Sequence, residues 1–456
     1  MDHVLWLSRL QFAFTISFHY IYPPLSIGLG LVLVLLEGLW LKTKKPLYHQ
    51  MARFWTKVFA LTFAMGVATG IVMEFEFGTN WATYSRYVGD IFGSALAAEG
   101  IFAFFLESGF LAVLLFGWDR VGPKLHFFAT CMVAFGAHFS AVWIIVANSW
   151  QQTPAGYHIV GEGLRERAEV TDFWAMVFNP SSVDRLTHTL GGCWLAGATL
   201  VASVGAFYML RGRHRDFARV SVKVGLAITL AVGLFQLFTG HRSAVVVAEY
   251  QPAKLAAYEG HFETGPAPLY LFGWVDAKSG KTHGIAVPGM LSWLVSGDAT
   301  KPVTGLNDFK PEDRPPANFV FQTYHLMIAI GFALIGLSAL GVFYWWRGVL
   351  FDKRWFLWLV VFAVLGPQIA NQVGWWSAEV GRQPWIVYGL LRTSDALSKV
   401  VRAEAVVTSL VLFTFVYALL LALFIYLLND KISHGPDESD LLEAGKLALP
   451  KTSAEN

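Results

Sequence analysis

Residues 91–117, IFGSALAAEGIFAFFLESGFLAVLLFG, place two carboxylates, Glu99 and Glu107, inside one apolar stretch. The stretch is long enough to cross a bilayer as a helix. Eight residues of helix would separate the two acids by about 12 Å in depth and about 80° around the axis, so both can face one bundle interior. Ionisable groups in hydrocarbon are expensive, and an acid there reads first as a proton relay, an ion path or a partner for a cation or metal. The plainer alternative is a pair of neutral, hydrogen-bonded acids that fix helix packing. Four further side chains able to bind iron, His19, His188, Met327 and Glu379, fall on other apolar stretches. His and Met are common axial ligands of haem iron, and Met/His ligation raises the reduction potential. Arg9 and Arg382 flank this set and could hold the carboxylates of a haem or serve only as membrane anchors.

The elements that must position these residues are membrane helices. Of 456 residues 55% are hydrophobic and only 14% charged, against about 25% charged in a soluble globular chain, so the fold class is all-α integral membrane. The net charge of +2 offers no polyanion-binding surface, and Cys131 and Cys193, both in apolar stretches, offer neither a disulfide framework nor a zinc site. Eighteen Trp and 37 Phe suit interfacial belts or packing against large flat cofactors. The first residues lack the basic segment and cleavage site of a signal peptide.

Hydropathy predicts nine transmembrane helices at about 11–40, 52–76, 91–118, 125–150, 187–210, 218–239, 319–346, 355–379 and 402–428. They make a membrane domain over 1–428, interrupted by a polar insert at 240–318 and followed by a tail at 429–456 that reads as solvated and partly disordered. A second long connection covers 151–186. Lys42, Lys44, Lys45, Arg53, Arg120, Lys124, Arg211, Arg213, Arg215, Arg219, Arg347, Lys353 and Arg354 cluster in alternate connections. The positive-inside rule therefore places the N-terminus periplasmic and the C-terminus cytoplasmic. In that topology His19, Glu99 and Met327 each lie about 12 Å below the outer edge, with His188 and Glu379 on the same side. One shared depth on five helices points to iron chemistry more than to five separate core residues.

The runs LSRLQFAFTISFH (7–19), YVGDIFGSALAAEGIFAFFLESGF (87–110), FGWDR (116–120), VANSWQQTPAGY (146–157), QPAKLAAYE (251–259) and GWWSAEVGRQPW (374–385) resemble subunit I of the cytochrome bd-type quinol oxidases, including the cyanide-insensitive oxidases. The resemblance implies a terminal quinol:oxygen oxidoreductase of the bacterial cytoplasmic membrane, paired with a homologous membrane subunit II and sometimes a small single-span third subunit. His188 and Met327 look like the axial pair of a low-spin haem b. His19 and Glu379 look like ligands of two high-spin haems, with Glu99 beside them; which ligand takes which haem stays open. The implied cofactors are two haem b and one haem d, with haem b in place of haem d also open. Trp375 resembles the aromatic residue between haems, Glu107 and Ser140 look like parts of the proton path, and Lys254 with Glu259 resembles the quinol-oxidising pair of the Q-loop.

Two features depart from the common pattern. His325 stands where the family often has arginine, and it is a weaker rival as an iron ligand because residues two apart on a helix point in different directions. The Q-loop is short. Two other functions compete: a transporter whose membrane carboxylates bind a coupling cation, and a non-catalytic haem-binding scaffold subunit.

Overall fold

In the computed structural model, which describes residues 2–442, nine helical spans are long and apolar enough to cross a membrane among the described residues. The first comprises α1 (Asp2–His19) and α2 (Tyr22–Thr43), followed by α3 (Pro46–Thr79), α4 (Gly89–Phe116), α5 (Pro123–Gln152), α6 (Ser182–Arg211) and α7 (Arg215–Tyr250). Beyond the insert come α8 (Pro252–Glu259), α9 (Ala317–Trp346), α10 (Arg354–Phe362), α11 (Leu365–Val380) and α12 (Ala403–His434). The chain matches the expected nine-span, all-α architecture, with two differences in continuity. The first span breaks at Tyr20–Ile21 because Pro23 and Pro24 open α2, where their missing N–H groups cost nothing. The eighth breaks before α11, whose first turn holds Pro367, a residue that cannot bond back to Ala363.

Helix contacts are closest where side chains are smallest. A Cβ added to Gly28 of α2 would lie 2.2 Å from the Cys193 carbonyl oxygen of α6, so these two helices pack backbone against backbone. The main core gathers Tyr22, Leu29, Trp55, Phe59 and Tyr208 from α2, α3 and α6, while α12 leaves most of its apolar face outside. α4 is not regular: residues Glu99–Phe104 form a π-helical segment, which breaks the simple 80° relation expected between Glu99 and Glu107. Such segments recur at functional sites.

The insert at 240–318 is ordered. α7 continues through Tyr250, α8 follows, and a hairpin pairs β1 (Leu269–Asp276) with β2 (Lys281–Val287). Ala256, Tyr258, Phe262, Val275 and Leu306 pack on Val320 and Phe321, pinning the insert to α9. At the opposite end the start of the tail docks on α3: Asp437 pairs with Lys57 at 2.5 Å and Asp440 with Arg53 at 3.1 Å. The remainder of the tail, 443–456, lies outside the described residues.

Candidate functional site

One cavity of about 1910 Å³ runs between α1, α3, α4, α5, α6, α7, α9 and α11 below the insert. Single-ligand pockets measure about 300–1,000 Å³, so this one has room for several large groups. His19, His188, Met327, Glu379 and Trp375 all line it. So do Glu99, Glu107, Ser140, Glu259, Arg9 and Arg382. Lys254 does not; it borders a neighbouring pocket of about 230 Å³.

The histidines are presented alike. Nδ1 of His19 lies 2.9 Å from Thr69 Oγ1, and Nδ1 of His188 lies 3.0 Å from Thr239 Oγ1, leaving each Nε2 as the atom available to the cavity. Met327 reaches α11 at Gly374, where an added Cβ would stand 2.6 Å from the sulfur. Imidazole nitrogen and thioether sulfur are the donor types that hold haem iron. His325 differs, with its ring nitrogens 2.9 Å from the Phe321 and Tyr270 carbonyl oxygens and its face stacked on Phe321. Both nitrogens are occupied, so it does not present a ligand.

Glu379 belongs to a buried polar network. Its Oε1 accepts from Asn148 at 3.1 Å and Gln152 at 3.0 Å, and its Oε2 accepts from Arg382. Arg185 lies 3.9 Å away and donates to Asn148 Oδ1, while Gln151 Oε1 accepts from Arg382 at 3.0 Å. Nε of Arg185 and Nε of Arg382 are buried without a hydrogen-bond partner, which suits acidic groups of a cofactor in the cavity. Arg185 was not among the residues expected, although a cation one turn before His188 in a membrane helix is itself a signal. Asn148, Gln151 and Gln152 fall in the run VANSWQQTPAGY, where their types alone assign no task. Glu74 of α3 also lines the cavity and was likewise not expected.

Glu99 accepts from Ser140 at 2.7 Å, and Glu107, 5% exposed, lies deeper on the same helix against Gly136. An added Cβ at Gly136 would be 2.8 Å from the Glu107 Cβ, so α5 must be glycine there for α4 to approach. Lys254 and Glu259, which could have been an exposed pair, are both buried at 1% and 3% exposure. They face different pockets, so the structure does not place them around one headgroup-sized space. Lys254 donates to Gln152 Oε1 at 2.6 Å and Gln251 Oε1 at 3.1 Å. Burial pulls its ammonium well below the usual lysine range. Burial also pushes the Glu259 carboxyl up to about 8, and its Oε2 has no hydrogen-bond partner.

Between about 4.5 and about 8 the folded chain keeps a proton on Glu259 that the unfolded chain has lost, so this group's contribution to stability is complete at low pH and is lost as pH rises. Thermal midpoints measured from pH 5 to 8 should fall less steeply with pH for Glu259→Gln than for the parent. Equal slopes would show that Glu259 is not held protonated.

Comparisons with known proteins place the whole chain in one family. Residues 7–436 match the family model for cytochrome bd terminal oxidase subunit I. The chain is 37% identical to cytochrome bd ubiquinol oxidase subunit 1 of Bacillus subtilis, covering 95% of this chain and 94% of that one. It is 34% identical to cytochrome bd-II ubiquinol oxidase subunit 1 of Escherichia coli, covering 96% and 98%. The solved bd oxidase of Geobacillus thermodenitrificans superposes with a TM-score of 0.88 at 30% identity, over 95% of this chain and 99% of that one. A nine-span bundle around a large cavity lined by His and Met, matched along its length by these proteins, belongs to the cytochrome bd terminal oxidase subunit I family, haem-carrying oxidoreductases of the bacterial inner membrane.

Proposed function

We propose that this chain is the catalytic subunit of a quinol oxidase, taking electrons from quinol at the insert end of the bundle and delivering them to oxygen inside it. The observation that carries the reading is the single cavity joining two free histidine Nε2 atoms, the Met327 sulfur and the acids Glu99, Glu107 and Glu259. Bound haem supplies the iron redox couple; two haem b and one haem d, or haem b in the latter's place, are the proposed set. His188 and Met327 would hold the low-spin haem, and His19 and Glu379 the high-spin pair, near Glu99 and Trp375. Arg9, Arg185 and Arg382 would hold the acidic edges.

The insert end is proposed to face the periplasm, as the basic connections at the other end favour. Lys254 does not line the cavity and would act on a quinol there through Gln152 and Gln251, which do line it and whose side-chain oxygens accept from its amine. Glu259 lies one turn further along α8 and can accept a hydrogen bond at its unpartnered oxygen once deprotonated. Protons for oxygen reduction come from the cytoplasmic side, Glu107 passing them toward Ser140 and Glu99. Electrons and protons thus enter from opposite sides, which separates charge without a pump. A homologous subunit II, and in some assemblies a small third subunit, would complete the complex. The transporter reading explains the acids but leaves the paired histidines and Met327 without a task.

Three variants test the parts. Lys254→Ala and Glu259→Ala should each lower quinol oxidation about tenfold or more, on the scale of lost proton transfer, while leaving the haem spectrum intact. Normal turnover in both would make them packing residues. Met327→Leu, close in volume and without a ligating atom, should keep the fold and lower the low-spin midpoint potential or release that haem. An unchanged redox titration would remove Met327 from the ligands.

A further inference from the structure

Two separate places in the bundle seat a histidine in the same way. Thr69 Oγ1, which receives His19 Nδ1, donates its hydrogen to the Met65 carbonyl at 2.8 Å. Thr239 Oγ1, which receives His188 Nδ1, donates to Gln236 Oε1 at 2.9 Å. A hydroxyl has one hydrogen, so in each pair the ring is the donor and the threonine the acceptor. Each histidine is thereby fixed as the Nδ1–H tautomer with its lone pair on Nε2.

The residue after each threonine is glycine, and its missing side chain would meet the same ring atom. A Cβ at Gly70 would stand 3.3 Å from His19 Cε1, and one at Gly240 would stand 3.4 Å from His188 Cε1. Cε1 lies between the two ring nitrogens, so a methyl there presses on the edge that carries both. By contrast, His126, His138 and His325 each have both ring nitrogens engaged within the protein.

We propose that Thr69-Gly70 and Thr239-Gly240 are one positioning device used twice, the threonine setting the tautomer and the glycine the seat from which Nε2 meets haem iron. The inference rests on the reading that His19 and His188 hold iron. Donation of Nδ1–H to a fixed acceptor orients a ligating imidazole and raises its basicity, and losing such a partner costs about 10–100-fold in metal affinity or activity. The helices supply the device because α3 runs beside α1 and α7 beside α6.

The test uses the purified complex with its partner subunit. Thr69→Val and Thr239→Val keep the side-chain shape and remove the acceptor; Thr69→Ser and Thr239→Ser restore it. The readouts are haem transfer to excess apomyoglobin, the reduced-minus-oxidised spectrum and the midpoint potentials. Each valine variant should speed haem loss about 10–100-fold, on the scale of a lost hydrogen-bond partner, and raise the potential of the haem bound by its own histidine only. Each serine variant should return both to parental values. Gly70→Ala and Gly240→Ala keep the acceptor and should shift the same spectral bands, which gives a second reading if a valine variant does not assemble. Parental haem retention and potentials in the valine variants, or equal effects of valine and serine, overturn the proposal. His19→Ala and His188→Ala separate the two levels: if they also keep all haem, the ligand assignment fails; if they lose haem while the valine variants do not, only the positioning device fails.

Discussion

His188→Ala is expected to remove the low-spin haem and cut quinol-driven oxygen uptake to less than about a tenth, since loss of a ligand should exceed the roughly 10–100-fold cost of losing only a ligand's partner. The high-spin bands should persist, because His19 is held by α1 and α3 and does not share Thr239 with His188. The α6–α7 contact should survive a lost imidazole, because the two helices also meet closely at Gly205 against Ser221 and at Gly225 against Ala198. Difference spectra of the purified variant, with uptake per assembled complex, decide the matter. A full low-spin band at parental turnover would place the electron-accepting haem elsewhere.

Glu107→Gln should assemble with all its haems and reduce oxygen about a hundredfold more slowly, in the range attributed to positioned proton transfer. Glutamine fills the same space against Gly136 and keeps hydrogen-bonding reach, but it cannot exchange a proton. Glu99→Gln should add a disturbed high-spin spectrum, because the nine-span topology puts Glu99 at the depth of His19 and Met327 and Glu107 about two turns further in. A neutral packing acid already resembles glutamine, so parental uptake in Glu107→Gln at full haem content would send the proton path through another route, such as the partner subunit.

The helices were legible because nothing but a membrane span accounts for such long apolar runs with so few charges, and the two carboxylates on α4 stood out against that background. The interruptions at Tyr20–Ile21 and before α11 were written in Pro23, Pro24 and Pro367, yet hydropathy averages over them. What stayed hidden depends on contacts distant in sequence. Thr69 and Thr239 are ordinary helix residues until α1 and α6 bring a histidine to each, fifty and fifty-one positions away. The amides of Asn148, Gln151 and Gln152 gain meaning only when Glu379, Arg382 and Lys254 converge on them. Lys254 and Glu259 read from the sequence as a quinol-oxidising pair near enough to share one headgroup, whereas α8 is buried on several sides and sends them to different pockets.

Quinol oxidation at the insert end and iron within the bundle are proposed to form one electron path, and one measurement addresses that join directly. The oxidised, purified complex is mixed anaerobically with excess quinol, and the visible spectrum is compared with that of the dithionite-reduced sample. Quinol should bring both low-spin and high-spin bands to nearly the dithionite amplitude, and admission of oxygen should reverse them. Haem bands that dithionite reduces but quinol does not would make this chain a haem-binding scaffold, and a complex with no haem bands at all would return its membrane carboxylates to a transporter.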